Sequence, residues 1–213
     1  KRIAKDSPVQ EFPEPDILVI PMSQHIGAPC LPLVKKGDQV TVGQKIGDNQ
    51  GLCVPVHASV SGKVTAVGPM LASTGAQVTA ITIESDGEMS VSESCVAPEI
   101  NDYDSFIAAV RASGAVGLGG AGFPTHFKLN VEPERIEYLL VNGAECEPYI
   151  TSDSVTMVES ADEIKLAIEQ LVKFLNIKRV IIGIEKNKPQ CIAKYKELCA
   201  STEGVEVCAL PSI

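Results

Sequence analysis

The sequence predicts a two-part α/β protein, a small all-β unit followed by a parallel sheet with helices on its faces, and three observations predict it. Residues 17 to about 84 are short β-branched segments broken by Gly and Pro. From Ser85 to Ile100 the composition turns acidic and small, as in a linker or a wrapping segment. Beyond it, strand-type and helix-type periodicities alternate. With 213 residues and 45% hydrophobic composition, the chain is long and apolar enough for two modest domains, expected at 1–100 and 101–213.

The β half is built from Asp16–Ile20, Val40–Val42, Gly62–Val67 and Val78–Ile83, with turns at Lys35–Asp38 and Ser61–Gly62. In the second half, Asp102 or Asp104 can cap a helix that runs to Ala112, with Phe106, Ile107 and Val110 on one face. Ile136–Val141 has the continuous apolar character of a buried strand. Ser160-x-x-Glu163 reads as a capping box for a helix with Ile164, Ala167, Ile168, Leu171, Val172 and Leu175 on its stripe. Arg179–Ile184 is the next strand. Asn187–Ala200 is a helix that tolerates Pro189 in its first turn, and Val205–Ala209 is the last strand. Strand, helix, strand, helix, strand implies crossover connections and a Rossmann-like parallel sheet.

Charge and cysteines exclude several classes. A net charge of -9 with no basic cluster argues against nucleic acid, whose phosphates demand Lys and Arg. No run of eighteen apolar residues occurs, so no direct membrane insertion is expected. The seven cysteines form no C-x-x-C pair, which leaves neither a zinc ribbon nor a ferredoxin-type cluster motif. Cys191, Cys199 and Cys208 fit buried, inert thiols. His25 and His57 read as structural histidines, because as metal ligands they need a third donor and the spacing offers none; no metal site is expected.

Val34–Gln44 followed by Val56–Val64 resembles the biotinyl/lipoyl barrel-sandwich hybrid fold. In carrier proteins of that fold a Lys at a hairpin tip receives the prosthetic group. The matching stretch here, Pro55–Ser59, has no lysine, and Lys63 falls in an expected strand, so a swinging-arm role is rejected.

Two loops carry the polar chemistry of the second half. Gly114–Pro124 holds five glycines in nine residues, which lets backbone N–H groups approach a phosphate or a flat ring. It lacks the Gly-Lys-Ser/Thr of a phosphate loop. Its Gly117, Gly119 and Gly122 spacing follows a helix rather than a strand, unlike a dinucleotide fingerprint. Asn142–Pro148 lies at the carboxyl end of the strand Ile136–Val141, where open α/β sheets place ligands. Asn142 can bond an amide edge, and Glu145 and Glu147 can accept from hydroxyls, although a solvated acidic loop is an equal alternative. Cys146, set between two glutamates, is no activated nucleophile, so no catalytic side chain is assigned.

Together, Gly120–Thr125, preceded by Gly119, and Asn142-x-x-Glu145-x-Glu147-Pro148 resemble the flavin-binding subunit of respiratory complex I and, more closely, the RnfC family. Ser23–Pro29 followed by Lys35–Asp38 is also characteristic of RnfC-like proteins. The resemblance covers Pro21 to about Pro189. It implies FMN contacts from Gly117, Gly119, Gly120, Ala121, Gly122 and Lys128, with Asn142, Glu145 and Cys146 on the other side of the ring. Phe123 and Glu147 would face the nicotinamide of NADH. The chain departs from the complex I pattern at Leu118, where that protein has Arg, and at Ala144, where it has Asp.

The resemblance further implies a component of an ion-translocating electron-transport complex, cytoplasmic and peripheral to the membrane, with other subunits of that complex as partners. Electrons would pass between NADH and iron–sulfur or ferredoxin carriers through FMN. Lys1 is not a translated start. Family members also continue with a further glycine loop, another β domain and two cysteine motifs for 4Fe-4S clusters, so an N-terminal fragment without clusters is expected. Two other readings stay open: a non-catalytic structural component, like the related member of the sodium-pumping NADH:quinone reductase, and an RnfC-like electron carrier for another reductase such as proline reductase.

Overall fold

The computed structural model describes residues 7–145 and 149–211. Packing divides the chain into two compact units, Phe12–Val131 and Glu132–Ile213 with Lys1–Glu11. The first helix and the glycine loop group with the β strands, so the packing boundary lies at Val131 where the composition suggested residue 100.

The β unit contains β1 (Ile17–Pro21), β2 (Leu31–Pro32), β3 (Gln39–Val40), β4 (Lys45–Asp48), β5 (Val56–His57), β6 (Gly62–Leu71) and β7 (Gln77–Ser85). One antiparallel sheet runs β1-β7-β6-β3 and a second β2-β4-β5. Their inward side chains, including Met22, Val40, Ile46, Val64, Ile81 and Ile83, make one apolar core. β2, β4 and β5 escape a pattern search because strands of two to four residues carry too few alternations to register. Residues 85–100 wrap this unit. Val42 donates to Ser90 O and accepts from the Ser92 amide, both at 2.9 Å, and Ser61 Oγ donates to Asp86 at 2.6 Å. Lys63 lies within β6, as expected for a chain with no carrier lysine.

α1 (Tyr103–Ala112) starts at Asp102, whose Oδ1 accepts from the Ser105 amide at 2.8 Å while Ser105 Oγ accepts from the Asp102 amide at 3.0 Å. Near its end Arg111 donates to Asp48 Oδ1 at 2.7 Å and to Asn49 O at 2.9 Å, which fixes the helix to β4. α2 (Thr125–Leu129) follows the glycine loop.

The second unit holds β8 (Tyr138–Gly143), α3 (Ser152–Glu159), α4 (Ala161–Leu175), β9 (Arg179–Glu185), α5 (Pro189–Leu198) and β10 (Val205–Leu210). The three strands are parallel in the order β10-β9-β8, with β9 central and Val180, Ile182 and Ile184 buried. This is a βαβαβ arrangement. Pro189 stands in the first turn of α5, and Cys191 and Cys199 are buried along that helix and its end. Cys208 in β10 is only partly buried.

The expected capping box at Ser160 is not formed, because Ser160 makes no side-chain cap bond. It also ends α3, donating its amide to Thr156 O at 2.9 Å, and α4 begins at the next residue. Its backbone (φ -107°, ψ 33°) therefore lacks the extended conformation a serine needs to reach back to its third amide.

Candidate functional site

The glycine loop is a narrow ribbon anchored on the β unit. Thr125 donates to Ala115 O at 3.0 Å and Gly117 to Phe123 O at 2.9 Å, so the segment closes on itself and projects its tip. The tip is pinned from below: Ile26 donates to Ala121 O at 3.1 Å. Gly122 (φ 61°) packs so closely that a Cβ there would lie 2.9 Å from Gln24 O. Above the pin the loop is open. A Cβ on Gly119 or Gly120 would meet no atom within 4 Å, and Ala121 beside them is exposed. Leu118 is 94% exposed and Phe123 38%. Lys128 is exposed on α2 and returns to the loop, with its Nζ 2.6 Å from where a Gly117 Cβ would stand. The structure thus gathers Gly117, Gly119, Gly120, Ala121, Gly122, Phe123 and Lys128 on one ribbon. Bare backbone and one ammonium suit an anionic ligand with a flat ring, since a phosphate takes backbone N–H groups and a cation.

In the other unit, Asn142 is exposed at the end of β8, and its Oδ1 accepts from the Ala144 amide at 3.0 Å, an Asx turn. Glu145 is only 1% exposed. Its carboxylate accepts from Lys188 Nζ at 2.9 Å, from the Asp153 amide at 2.8 Å and from Ser154 Oγ at 3.3 Å. Its own amide donates to Glu185 Oε2 at 3.2 Å, which also lies 3.4 Å from Lys188 Nζ. The carboxylate sits at the N-terminus of α3, where exposed amides and the helix dipole favour an anion. Glu145 therefore ties the end of β8 to the starts of α3 and α5. Lys188, which lies 43 residues later in the sequence, was not singled out there because nothing local marks it as a partner. Cys146 and Glu147 lie outside the described residues.

His25 and His57 differ. Burial first, then the nearby Lys45 charge, lowers the His57 pKa, against a hydrogen bond with the Ala112 backbone. His25 is buried, and its Nε2 faces two thiols that the spacing did not suggest, Cys53 Sγ at 3.6 Å and Cys30 Sγ at 3.8 Å. Two further potential donors thus reach His25 from segments 5 and 28 residues away, and His57 is not among them.

Comparison with known proteins matches these features in order. Residues 1–88 match a family model described as RnfC Barrel sandwich hybrid domain, and residues 110–213 one described as Nuo51 FMN-binding domain. The C subunit of the Na(+)-translocating ferredoxin:NAD(+) oxidoreductase complex of Acetobacterium woodii is 41% identical over 92% of this chain and 46% of its own length. The C subunit of the proton-translocating ferredoxin:NAD(+) oxidoreductase complex of Clostridium ljungdahlii is 36% identical over 100% of this chain and 47% of its own. The C subunit of the ion-translocating oxidoreductase complex of Edwardsiella ictaluri is 37% identical over 100% of this chain and 27% of its own. The chain thus spans about half the length of the first two relatives. Among the described residues no helix is long and apolar enough to cross a membrane. With a barrel-sandwich segment preceding an FMN-binding segment, and these relatives matching along nearly its whole length, the chain belongs to the RnfC family.

Proposed function

We propose that this chain is the flavin-holding portion of an RnfC protein within an ion-translocating oxidoreductase complex, where electrons pass between NADH and iron–sulfur or ferredoxin carriers. The observation that carries the reading is the open glycine face at Gly119 and Gly120 with the Lys128 ammonium beside it, inside the segment that matches an FMN-binding domain. The residues present fit FMN. Backbone amides around Leu118–Gly120 suit the phosphate or the ring edge, Lys128 offsets negative charge, and partly exposed Phe123 offers an apolar surface for a nicotinamide. Asn142 is the exposed donor and acceptor of the second loop. Glu145 contributes by joining the end of β8 to the start of α5 through Lys188, and Cys146 and Glu147 remain proposed contacts. When bound, FMN supplies hydride acceptance and one-electron release. The protein's part is to position two flat rings and exclude competing reactions, so no acid or base is assigned. The parallel βαβαβ unit is read as Rossmann-like. As part of such a complex the protein would stand at the cytoplasmic membrane face, bound through other subunits.

Gly119→Val tests the reading best. Gly119 has open space and no positive φ, whereas Gly120 has φ 142° and would be strained by any side chain. FMN fluorescence titration of the full-length protein should show saturable binding that Gly119→Val abolishes with its circular dichroism unchanged. Lys128→Ala should weaken binding by about 1.5–3 kcal/mol, roughly ten- to more than a hundredfold. A full-length protein that binds no FMN, or a Gly119→Val variant with normal flavin content, would return the chain to a structural role.

A further inference from the structure

We propose that His25, Cys30, Cys53 and the carbonyl of Val54 form a buried four-donor site for a thiophilic divalent cation, zinc being the ion whose geometry fits. This inference is independent of the flavin reading.

The geometry is that of a closed tetrahedron. The ligand atoms His25 Nε2, Cys30 Sγ and Cys53 Sγ all lie within 4.8 Å of one another. The two sulfurs are 3.4 Å apart, and His25 Nε2 stands 3.8 and 3.6 Å from them. Val54 O caps the triangle, 3.1 Å from Cys30 Sγ, 3.5 Å from Cys53 Sγ and 3.2 Å from His25 Nε2. With Zn–S bonds of about 2.3 Å and Zn–N bonds of about 2.0–2.1 Å, a tetrahedral site has edges of roughly 3.8 Å between sulfurs and 3.6 Å between sulfur and nitrogen.

The hydrogen bonds of the cluster leave its lone pairs pointing at one another's neighbourhood. Two thiols and one ring nitrogen converge on one carbonyl oxygen, which has two lone pairs. His25 Nδ1 faces Ile26 O at 3.1 Å, so both ring nitrogens face carbonyls, although a neutral imidazole has one proton. The Val54 amide is a long partner for Nε2 at 3.4 Å. The same tautomer suits a cation. Nδ1 donates to Ile26 O, the backbone partner that ligating histidines commonly use, and Nε2 is left as a neutral ligand.

Charge and surroundings agree. Cys53 is 0% exposed, Cys30 3% and His25 9%, within the apolar core of the β unit. Binding exchanges two thiol protons for one divalent cation, so two thiolates and the ion sum to zero charge. That neutrality suits a core where an unpaired charge is costly. Two sulfurs and an imidazole select zinc-like ions over magnesium or calcium. A cleft of about 270 Å³ lined by Gln24, His25, Val54 and His57 leads to the site. Its position implies a structural role, since the bound residues hold the Gln24–Ile26 segment that supports the glycine loop through Ala121 and Gly122.

Anaerobic titration of the reduced, chelator-treated protein with Co²⁺ tests this directly. About one ion per chain should bind, with thiolate-to-cobalt charge transfer in the near ultraviolet and the intense visible bands of a tetrahedral ion. Zn²⁺ should displace it, and about two protons should be released per ion. Cys30→Ser, Cys53→Ser and His25→Ala should each weaken binding at least tenfold, while Cys95→Ser, on an exposed cysteine, should not. Should the core variants fail to fold, the unmodified protein still decides. Absence of tetrahedral bands with no stoichiometric metal by elemental analysis overturns the site, and so does a Cys30–Cys53 disulfide found by mass spectrometry in freshly purified protein.

Discussion

Each unit buries a polar cluster, and the two are satisfied differently. Around Glu145 the carboxylate meets donors: the Lys188 ammonium, a helix-terminal amide and a hydroxyl. Around His25 two thiols and an imidazole converge on one carbonyl within 4 Å of one another, four potential ligand atoms with no opposite charge among them. The first cluster is complete as a protein structure, and it joins β8 to α3 and α5. The second is better completed by an ion. The lesson is that burial alone does not distinguish a structural polar cluster from a binding site; the balance of donors and acceptors does.

The comparison breaks most sharply at Lys188. Lys188→Ala leaves the Glu145 charge buried without its ammonium partner, at an expected cost of about 3–5 kcal/mol by urea denaturation. The double variant Glu145→Gln/Lys188→Met should recover part of that loss, because the fully buried charge is removed while the Glu185 carboxylate, 16% exposed, still loses its ammonium neighbour. A single variant with near-normal stability would show that the pair contributes nothing.

Next in size is the partly exposed pair Arg111–Asp48 in the β unit. Burial raises the Asp48 carboxyl, but hydrogen bonds from Arg111 and Lys45 outweigh it and hold its pKa below the ordinary value of 3.8. A carboxyl lowered on folding stabilises the protein above its unfolded pKa and loses that contribution as pH falls through the folded value. Wild-type stability from this pair should therefore hold at neutral pH and decline below about pH 4. Arg111→Ala should cost about 1 kcal/mol at neutral pH and flatten the acid limb. Thermal melts across pH 2 to 7 would show whether the two curves converge at low pH, as required.

The smallest effect separates two helix starts. Ser160→Ala should fall within about 0.5 kcal/mol of wild type, since no cap bond is lost. Asp102→Ala removes the side-chain acceptor of a formed capping box, leaving the amide bond to Ser105 Oγ, and should lower the melting temperature measurably more. Equal effects would mean that Ser160 caps α4 after all.

Much of the fold was legible in the sequence. The helix after Asp102, the stripe of α4, Pro189 in the first turn of α5 and three parallel-type strands all follow local rules. Ser160 misled because Ser-x-x-Glu matches a cap whether or not another helix ends on the same residue; α3, with weaker periodicity, went unforeseen. Of the candidate site, the glycine ribbon and Lys128 lie close in sequence and could be read together. Glu145 could not be read as buried, because its partner Lys188 is distant in the chain. Cys30 and Cys53 could not be assigned to His25, because the packing of three loop segments, not spacing, brings them there.

The hydrogen bond from Ile26 to Ala121 has a thermodynamic corollary. It joins the segment that carries His25 to the ribbon that carries the open glycines, so order in one restrains the other. Coupling between two binding events is a single free energy shared by both. If filling the histidine–thiol cluster raises flavin affinity by some factor, filling the glycine ribbon raises metal affinity by that same factor. Measuring either constant with and without the other ligand then yields one number twice.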